Sequence, residues 1–345
     1  MLRNKFWSLA SHNLPFKLFV IPLIWLLAIS AVHYRLNFES SERRVFRMGY
    51  MPVITNLAAP LLDYASKDGN DVRFKAIKYS SFAEMAESIR NNQIDAAFMI
   101  APLSVVLRQQ GADVKLVYIG NRHESSLVTR KELNISAFPQ LAGKTIAVPM
   151  RFSGHNLATL QLVKKYQLEG DINIVEMNPP DMAAALASGE LDAYFVGEPF
   201  AAKTLKSGHA SLLTYVEDVW PNFICNLVVV NNSLIESDPE LIQRFVTSAA
   251  RSGLWAEQNL GEAAKIASSY WNTNVDLVNY ALNTPPNRVH FEQFVPKADE
   301  MQKMADMMVE NKLIESNSIE GLLDASFAEH ADLGNISSLN SVIIR

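Results

Sequence analysis

The chain has 345 residues, of which 31 are basic and 36 acidic, and its formal net charge is −5. This acidic balance offers no electrostatic footprint for nucleic acid, so no nucleic-acid partner is expected. Hydrophobic residues make up 49% of the chain and charged residues 19%, with 14 glycines and 15 prolines. This composition excludes a disordered, collagen-like or multi-span membrane protein, and the length suggests two lobes or two domains.

The N-terminal segment, residues 1–34, predicts export. It contains three basic residues and no acidic residue, and it includes an apolar run at 18–32. This run is long for a secretory signal and short of the roughly 20 residues that span a bilayer. A cleaved signal peptide and an uncleaved N-terminal anchor both remain open. Either way, the positive-inside rule places the rest of the chain in the periplasm, with membrane contact only through an uncleaved segment.

The next part of the chain alternates between apolar runs and amphipathic segments. This pattern predicts strands at 45–51, 72–77, 94–99, 114–119, 145–148, 172–176 and 191–196, and helices at 57–66, 82–91, 155–166 and 182–187. Beyond residue 231 the pattern is helical, with predicted helices at 238–260, 261–271, 275–282 and 295–311.

An internal repeat relates the two halves of the alternating region at an offset of 97 residues. Residues 93–102 return as residues 190–199. The residues of the first copy that recur identically at this offset are Pro52, Met85, Asp95, Ala96, Phe98 and Pro102. Because one offset relates several separate elements, the sequence predicts the same unit built twice.

Strands that alternate with helices favour right-handed crossovers and mostly parallel sheets. Two such units predict an α/β fold with two lobes and a ligand cleft between them, because ligands of open parallel sheets bind beyond the carboxyl ends of the strands. The predicted organisation is a first lobe at 44–131, a second lobe at 132–224, a return to the first lobe with C-terminal helices at 225–334, and a tail at 335–345.

Several segments carry a family resemblance, namely residues 49–52, 94–97, 138–149, 179–182, 197–200 and 220–225. They resemble the periplasmic substrate-binding proteins of nitrate, sulfonate, taurine and bicarbonate ABC importers, a group that includes proteins related to thiamine-pyrimidine synthase. The resemblance spans roughly residues 45–260. It implies a type II binding-protein fold, closure on a solute, and delivery to a membrane permease driven by a cytoplasmic ATPase.

Candidate ligand-binding residues of the first lobe follow its predicted strands. Thr55 and Asn56 can cap the helix after the first strand or face the ligand, as the corresponding loop does in the family. Met99 and Ala101 lie at the end of the third strand, and His123 follows a further strand end near the predicted hinge.

In the second lobe, the matching loop contains Arg151, Ser153, Gly154 and His155. Arg151 offers a guanidinium fork for an oxyanion, although an exposed arginine is the alternative. Ser153 and Gly154 suit a helix N-terminus whose N–H groups approach an anion, and His155 is either a ligand contact or a helix-start residue. Glu198, at the next strand end, would favour an amine-bearing ligand, or would stabilise a helix dipole.

Other chemistry has weak support in the sequence. The single cysteine, Cys225, excludes a disulfide and any cysteine-clustered metal site. No P-loop, nucleophile elbow or zinc-protease motif is present. Four methionines at helical spacing favour a packed apolar helix face over a metal-binding stripe; they are Met301, Met304, Met307 and Met308. No cofactor and no metal site are predicted.

The sequence therefore predicts a non-enzymatic solute-binding component of an ABC importer. Its predicted solute is a small oxyanion or sulfonate-type compound (nitrate, bicarbonate, taurine or an alkanesulfonate), and its predicted partners are a permease and its ATPase. Two alternatives stay open. One is a thiamine-pyrimidine-related binding protein or enzyme on the same fold, and the other is a membrane-tethered ligand sensor.

Overall fold

The computed structural model describes residues 14–37, 43–69 and 72–344. The chain divides into two compact units, Met1–Arg44 and Val45–Arg345. Helix α1 (Leu14–Asn37) lies in the first unit and contains the apolar run at 18–32, whereas residues 1–13 of the predicted export segment lie outside the described residues. Among the described residues, no helix combines the length and the apolar character that a membrane crossing requires.

The described part of the second unit contains ten strands in two five-stranded sheets. The strands are β1 (Val45–Tyr50), β2 (Arg73–Lys78), β3 (Ala96–Ile100), β4 (Val114–Ile119), β5 (Ser125–Arg130), β6 (Thr145–Val148), β7 (Asn173–Glu176), β8 (Ala193–Gly197), β9 (Ala210–Tyr215) and β10 (Asn226–Asn231).

The two sheets have the same topology. The first has the order β2-β1-β3-β10-β4 and the second the order β7-β6-β8-β5-β9. In each sheet the first three strands of this order pair in parallel. The strand in fourth place, β10 or β5, runs antiparallel to both of its neighbours. That fourth strand comes from the other half of the chain, so the chain crosses between the sheets twice. The predicted α/β fold with two lobes is confirmed.

Helices fill the connections and cover the sheets. After α1 they are α2 (Ala58–Ser66), α3 (Phe82–Arg90), α4 (Ala101–Gln109), α5 (Gly154–Lys165), α6 (Pro179–Ser188), α7 (Phe200–Ser207), α8 (Val216–Val219), α9 (Asn232–Ser237), α10 (Pro239–Gln258), α11 (Leu260–Trp271), α12 (Val275–Asn283), α13 (Ala298–Glu310) and α14 (Ser326–Glu329). The eight predicted helices and seven predicted strands of this unit are confirmed, with shifts of a few residues at their ends.

The repeat is visible in the positions of the strands. β3 and β8 lie 97 residues apart, and all five residues of each are buried. A strand buried on both faces reads as a continuous apolar run, which is why both were predictable. Side-chain caps fix the start of two helices, since Ser153 accepts a hydrogen bond from Asn156 N–H and Asp238 accepts one from Leu241 N–H.

Two predicted boundaries are wrong. The second sheet includes β5, which ends before Glu132, so the second lobe begins earlier than the predicted residue 132. The counterpart of β5 in the first sheet is β10, which lies 101 residues further along the chain rather than 97. The predicted tail at 335–345 is part of the fold, since Leu339 and Val342 are buried in the core of the first lobe.

The apolar core is continuous across the two lobes. One cluster contains residues of both sheets, such as Leu127 and Val229, together with the methionines of α13. Met301, Met304 and Met308 are at most 1% exposed, so the predicted packed face of this helix is confirmed. A second cluster fills the first lobe, where the ring of Phe245 from α10 packs against Phe46 at a centroid distance of 4.6 Å.

Candidate functional site

The two lobes touch where strands of the two sheets end. Ile54 lies in the loop after β1, and Glu198 follows β8 in the other sheet. The N–H of Ile54 donates a hydrogen bond to the carbonyl oxygen of Glu198 at 2.8 Å. Both residues are buried. The carboxyl-end loops of the two sheets are therefore in direct contact, and the lobes are closed on each other here.

The two crossings between the lobes are built alike. Glu124 immediately precedes β5, and Cys225 immediately precedes β10. Glu198 N–H donates to the Glu124 carbonyl oxygen at 3.0 Å, and Ala101 N–H donates to the Cys225 carbonyl oxygen at 3.0 Å. Ala101 and Glu198 are equivalent positions of the repeat. The same backbone hydrogen bond therefore links each crossing to the residue that follows the central strand of a sheet, β3 or β8.

Two carboxyl groups are buried at this junction. Glu124 Oε1 accepts a hydrogen bond from the Ser125 hydroxyl at 3.0 Å, and Oε2 accepts one from Glu198 N–H at 2.6 Å. Glu198 Oε1 accepts from the Ser126 hydroxyl at 3.0 Å, and Oε2 accepts from Ala202 N–H at 2.7 Å. Burial raises the pKa of both carboxyl groups, and that of Glu198 reaches about 7.

His155 and Cys225 lie beside these carboxyl groups. His155 Nε2 is 2.9 Å from the Ser125 hydroxyl oxygen and 3.9 Å from Cys225 Sγ. Burial lowers the pKa of His155 to about 3, so its ring is neutral near pH 7. Burial and the neighbouring Glu124 raise the pKa of the Cys225 thiol. The raised pKa keeps Cys225 as a thiol, which is a much weaker nucleophile than a thiolate.

Two buried arginines flank the junction, and each is paired. Arg288 donates to both carboxylate oxygens of Glu217, at 2.7 and 3.0 Å, and also to the carbonyl oxygen of Ser125. Arg122 donates to both carboxylate oxygens of Glu300, at 3.0 and 2.9 Å. Both guanidinium groups therefore have their charge compensated by a two-point ion pair.

Some buried polar atoms at the junction have no hydrogen-bond partner among the described residues. They are Thr55 Oγ1, Asn121 Oδ1 and His155 Nδ1. Asn121 is tied to the loop after β1, because its Nδ2 donates to the Ile54 carbonyl oxygen at 2.9 Å. Thr55 lies close enough to Cys225 to lower the pKa of the thiol. We call the set Thr55, Asn121, Glu124, Ser125, Ser126, His155, Glu198 and Cys225 the interlobe cluster.

The structure brings three of the predicted site residues into the interlobe cluster, namely Thr55, His155 and Glu198. Five other predicted site residues are also buried; they are Asn56, Met99, Ala101, Ser153 and Gly154. The Asn56 side chain donates to the Met51 carbonyl oxygen at 2.9 Å and accepts from Asn226 Nδ2 at 2.9 Å. Both functions of its amide are therefore used inside the protein.

Two predicted residues lie apart from the cluster. Arg151 is exposed, its guanidinium lies 4.6 Å from the ring centroid of Phe152, and its N–H donates to Glu176. Among the described residues, the arginine whose charge lowers the pKa of Glu198 is Arg288. His123 is at the first crossing, where its Nε2 accepts a hydrogen bond from Asn222 N–H at 3.1 Å.

The sequence analysis did not identify several residues of this region as ligand-binding candidates; they are Asn121, Glu124, Ser125, Ser126, Cys225 and Arg288. Asn121 follows the end of β4 and thus had the same signal as the other strand-end residues. Arg288 comes from the segment between α12 and α13, which has no counterpart in the repeat, so no pattern pointed to it.

The comparisons with known proteins fit this architecture. A model of the NMT1-like family matches residues 39–270, which is more than half of the chain. The chain belongs to the NMT1-like family. This confirms the resemblance to the binding proteins of sulfonate, taurine and nitrate importers that the sequence segments carry.

Two curated relatives are binding proteins. A candidate aliphatic sulfonates-binding protein of Bacillus subtilis (strain 168) is 25% identical over 279 residues, covering 78% of this chain and 81% of the relative. The taurine-binding periplasmic protein of Escherichia coli (strain K12) is 26% identical over 220 residues, covering 59% of this chain and 66% of the relative.

A solved structure has the same fold. The ligand-binding component of an ABC-type import system from Staphylococcus aureus superposes with a TM-score of 0.77 at 20% identity, covering 84% of this chain and 99% of that one.

Proposed function

We propose that this chain is the solute-binding component of an ABC importer, which holds a small solute between its lobes and delivers it to a permease powered by an ATPase. The observation that carries the proposal is the interlobe cluster. It combines residues from the strand ends of both lobes and from both crossings, and it includes buried polar atoms without partners. Family membership and the two binding-protein relatives support the same role.

The geometry supports binding by closure. Thr55, Asn121 and Glu198 are each at most 4% exposed. A solute can reach such residues only if the lobes part, and the two crossings are the segments that would absorb this motion. Closure around the solute then removes it from water and presents one closed surface to the permease.

Thermal unfolding tests binding. A solute that binds only the folded state at 100 times its dissociation constant stabilises that state by about 2.7 kcal/mol. We expect the melting temperature to rise with one or more of nitrate, bicarbonate, taurine, alkanesulfonates and pyrimidines at millimolar concentration. If no small solute in this panel raises the melting temperature, the proposal fails.

A pair of matched variants tests the site. Thr55→Val removes a buried hydroxyl without a partner inside the cluster, and Thr129→Val removes an equally buried one in β5. Both proteins should fold about as stably as wild type, because Thr129 loses no hydrogen bond and Thr55 loses at most a weak one with the Cys225 thiol. A lost neutral hydrogen bond weakens binding about two- to tenfold. We expect this loss for Thr55→Val alone, and equal affinities would place the solute elsewhere.

The location and the absence of catalysis belong to the same proposal. We expect export to the periplasm, and sequencing of the mature N-terminus distinguishes a cleaved signal from an anchor that would suit a tethered sensor.

Mass spectrometry of the solute released after binding tests the enzyme alternative. An unchanged solute supports a carrier, whereas a converted one supports an enzyme.

A further inference from the structure

The interlobe cluster has two buried acidic side chains in fixed positions. All four carboxyl oxygens of Glu124 and Glu198 accept hydrogen bonds from Ser125, Ser126 or backbone N–H groups. Two of these donors are N–H groups of the loop and helix that follow β8. Because both carboxyl groups are held at both oxygens, neither can swing away from an entering solute.

The cations beside the cluster are already compensated. Arg288 and Arg122 each form a two-point pair with a glutamate, and Arg151 lies exposed on the second lobe. A bare anion that enters the closed junction would therefore be buried near two carboxyl groups without a side-chain cation of its own. Burying a charge without a partner is costly, so this environment discriminates against anions.

The polar atoms without partners indicate the complementary chemistry. The Nδ2 group of Asn121 is committed to the Ile54 carbonyl oxygen, which leaves its Oδ1 as a pure acceptor. Only an N–H or O–H donor satisfies this atom. Thr55 Oγ1 and His155 Nδ1 can each adapt to a donor or an acceptor. The minimum requirement on an occupant is thus a hydrogen-bond donor near Asn121.

We propose that the interlobe cluster selects a solute that carries N–H donors and no net negative charge, and discriminates against a bare oxyanion. This inference rests on the proposed solute-binding function and narrows its solute class. It departs from the oxyanion predicted from the sequence, because the arginine expected to receive that anion is exposed. A zwitterion with an amine meets the requirement as well as a neutral amide does.

A matched pair of solutes tests the charge class. Ethanesulfonamide and ethanesulfonate share a skeleton, but the first is neutral with N–H donors and the second is an anion without them. Titration calorimetry with the full chain at pH 8, above the pKa of Glu198, should show at least tenfold tighter binding of ethanesulfonamide. Taurine, which adds an amine to the ethanesulfonate skeleton, should also bind more tightly than ethanesulfonate.

Three substitutions connect this preference to the protein. Glu198→Gln keeps a side chain that can bond to Ser126 and Ala202 but removes the acid, so the preference should shrink severalfold. Glu217→Gln removes the partner of Arg288, whose guanidinium contacts the cluster, so ethanesulfonate should bind more tightly than to wild type. Glu176→Gln, the control on an exposed edge strand, should keep the wild-type preference.

The outcomes separate this inference from the proposed function. If ethanesulfonate binds as tightly as ethanesulfonamide, or if Glu198→Gln and Glu217→Gln leave the preference unchanged, the charge selection is wrong while the binding role stands. If the protein binds another solute but not ethanesulfonamide, the selection is wrong in the same way. If no solute binds at all, both the inference and the proposed function fail.

Discussion

Glu198 connects three parts of the molecule through one residue. Its carbonyl oxygen accepts from Ile54 of the other lobe, its N–H contacts Glu124 of the first crossing, and its carboxyl group holds Ser126 and Ala202. The equivalent residue of the first lobe, Ala101, makes only the backbone contact to its crossing. The buried carboxyl group is therefore what the second copy of the repeat adds at this position.

This carboxyl group should make stability depend on pH. Burial raises its pKa from 4.5 to about 7 in the folded protein. An acid with a raised folded pKa contributes fully to stability below the unfolded pKa, and this contribution is lost as pH rises through the folded pKa. Relative to Glu198→Gln, the wild type should therefore lose on the order of 3 kcal/mol of unfolding free energy between pH 4.5 and pH 8.

Urea denaturation of both proteins across this range measures the difference. His155 acts with the opposite sign, because its lowered pKa favours the folded state as pH rises towards 6.5, but it is present in both proteins and cancels. Glu176→Gln should follow the wild-type curve, since that residue is exposed. Parallel curves for wild type and Glu198→Gln would show that the Glu198 carboxyl group does not titrate between the two limits.

At the scale of elements, the sequence predicted strands and helices well but the site only in part. Buried strands such as β3 and β8 are apolar runs, which are visible without any knowledge of their neighbours. Which charged side chain lies next to another in the folded protein cannot be predicted from such local patterns. Arg151 and Glu198 follow strands of one lobe, yet the arginine that acts on Glu198 comes from the segment after α12, about 90 residues further along the chain.

The chain just after β4 passes so close to the loop after β1 that position 120 must be a glycine. A Cβ atom on Gly120 would lie 1.9 Å from the backbone oxygen of Thr55. Gly120→Ala must therefore displace backbone next to Asn121, and overpacking of this kind costs about 1 to 3 kcal/mol. Gly261, near the start of α11, has nothing within 4 Å of such an atom. Gly261→Ala should be neutral or stabilising by up to about 1 kcal/mol.

Chemical denaturation compares these two glycine variants directly. Because Gly120 adjoins the cluster, its alanine variant should also bind solute more weakly, whereas Gly261→Ala should bind as wild type does. Equal stabilities of the two variants would contradict the close backbone approach at Gly120.

At the scale of the whole molecule, the lobes are joined by more than the two crossings. Helix α13 packs against α4 of the first lobe, and its Met307 and Glu310 contact Gln161 and Lys164 of α5 in the second lobe. Arg122 of the first crossing pairs with Glu300 of the same helix. This helix therefore lies beside a crossing and touches both lobes, so that side of the molecule is the natural pivot of any opening.

An opening about this pivot should break the contact between the lobes before it disturbs either sheet. The N–H of Ile54 reaches across to Glu198, whereas the amides of β10 are bonded between β3 and β4 within one sheet. Hydrogen exchange should therefore be faster at residues 52–57 than at residues 226–231 without solute, because partial openings require less free energy than global unfolding. A solute that raises the melting temperature slows exchange everywhere, because the folded state becomes more stable. If the solute also holds the lobes together, exchange should slow by a larger factor at residues 52–57 than at residues 226–231. Uniform slowing at both segments would mean that the solute stabilises the fold without holding the lobes together, and binding by closure of the lobes would be the wrong description of this protein.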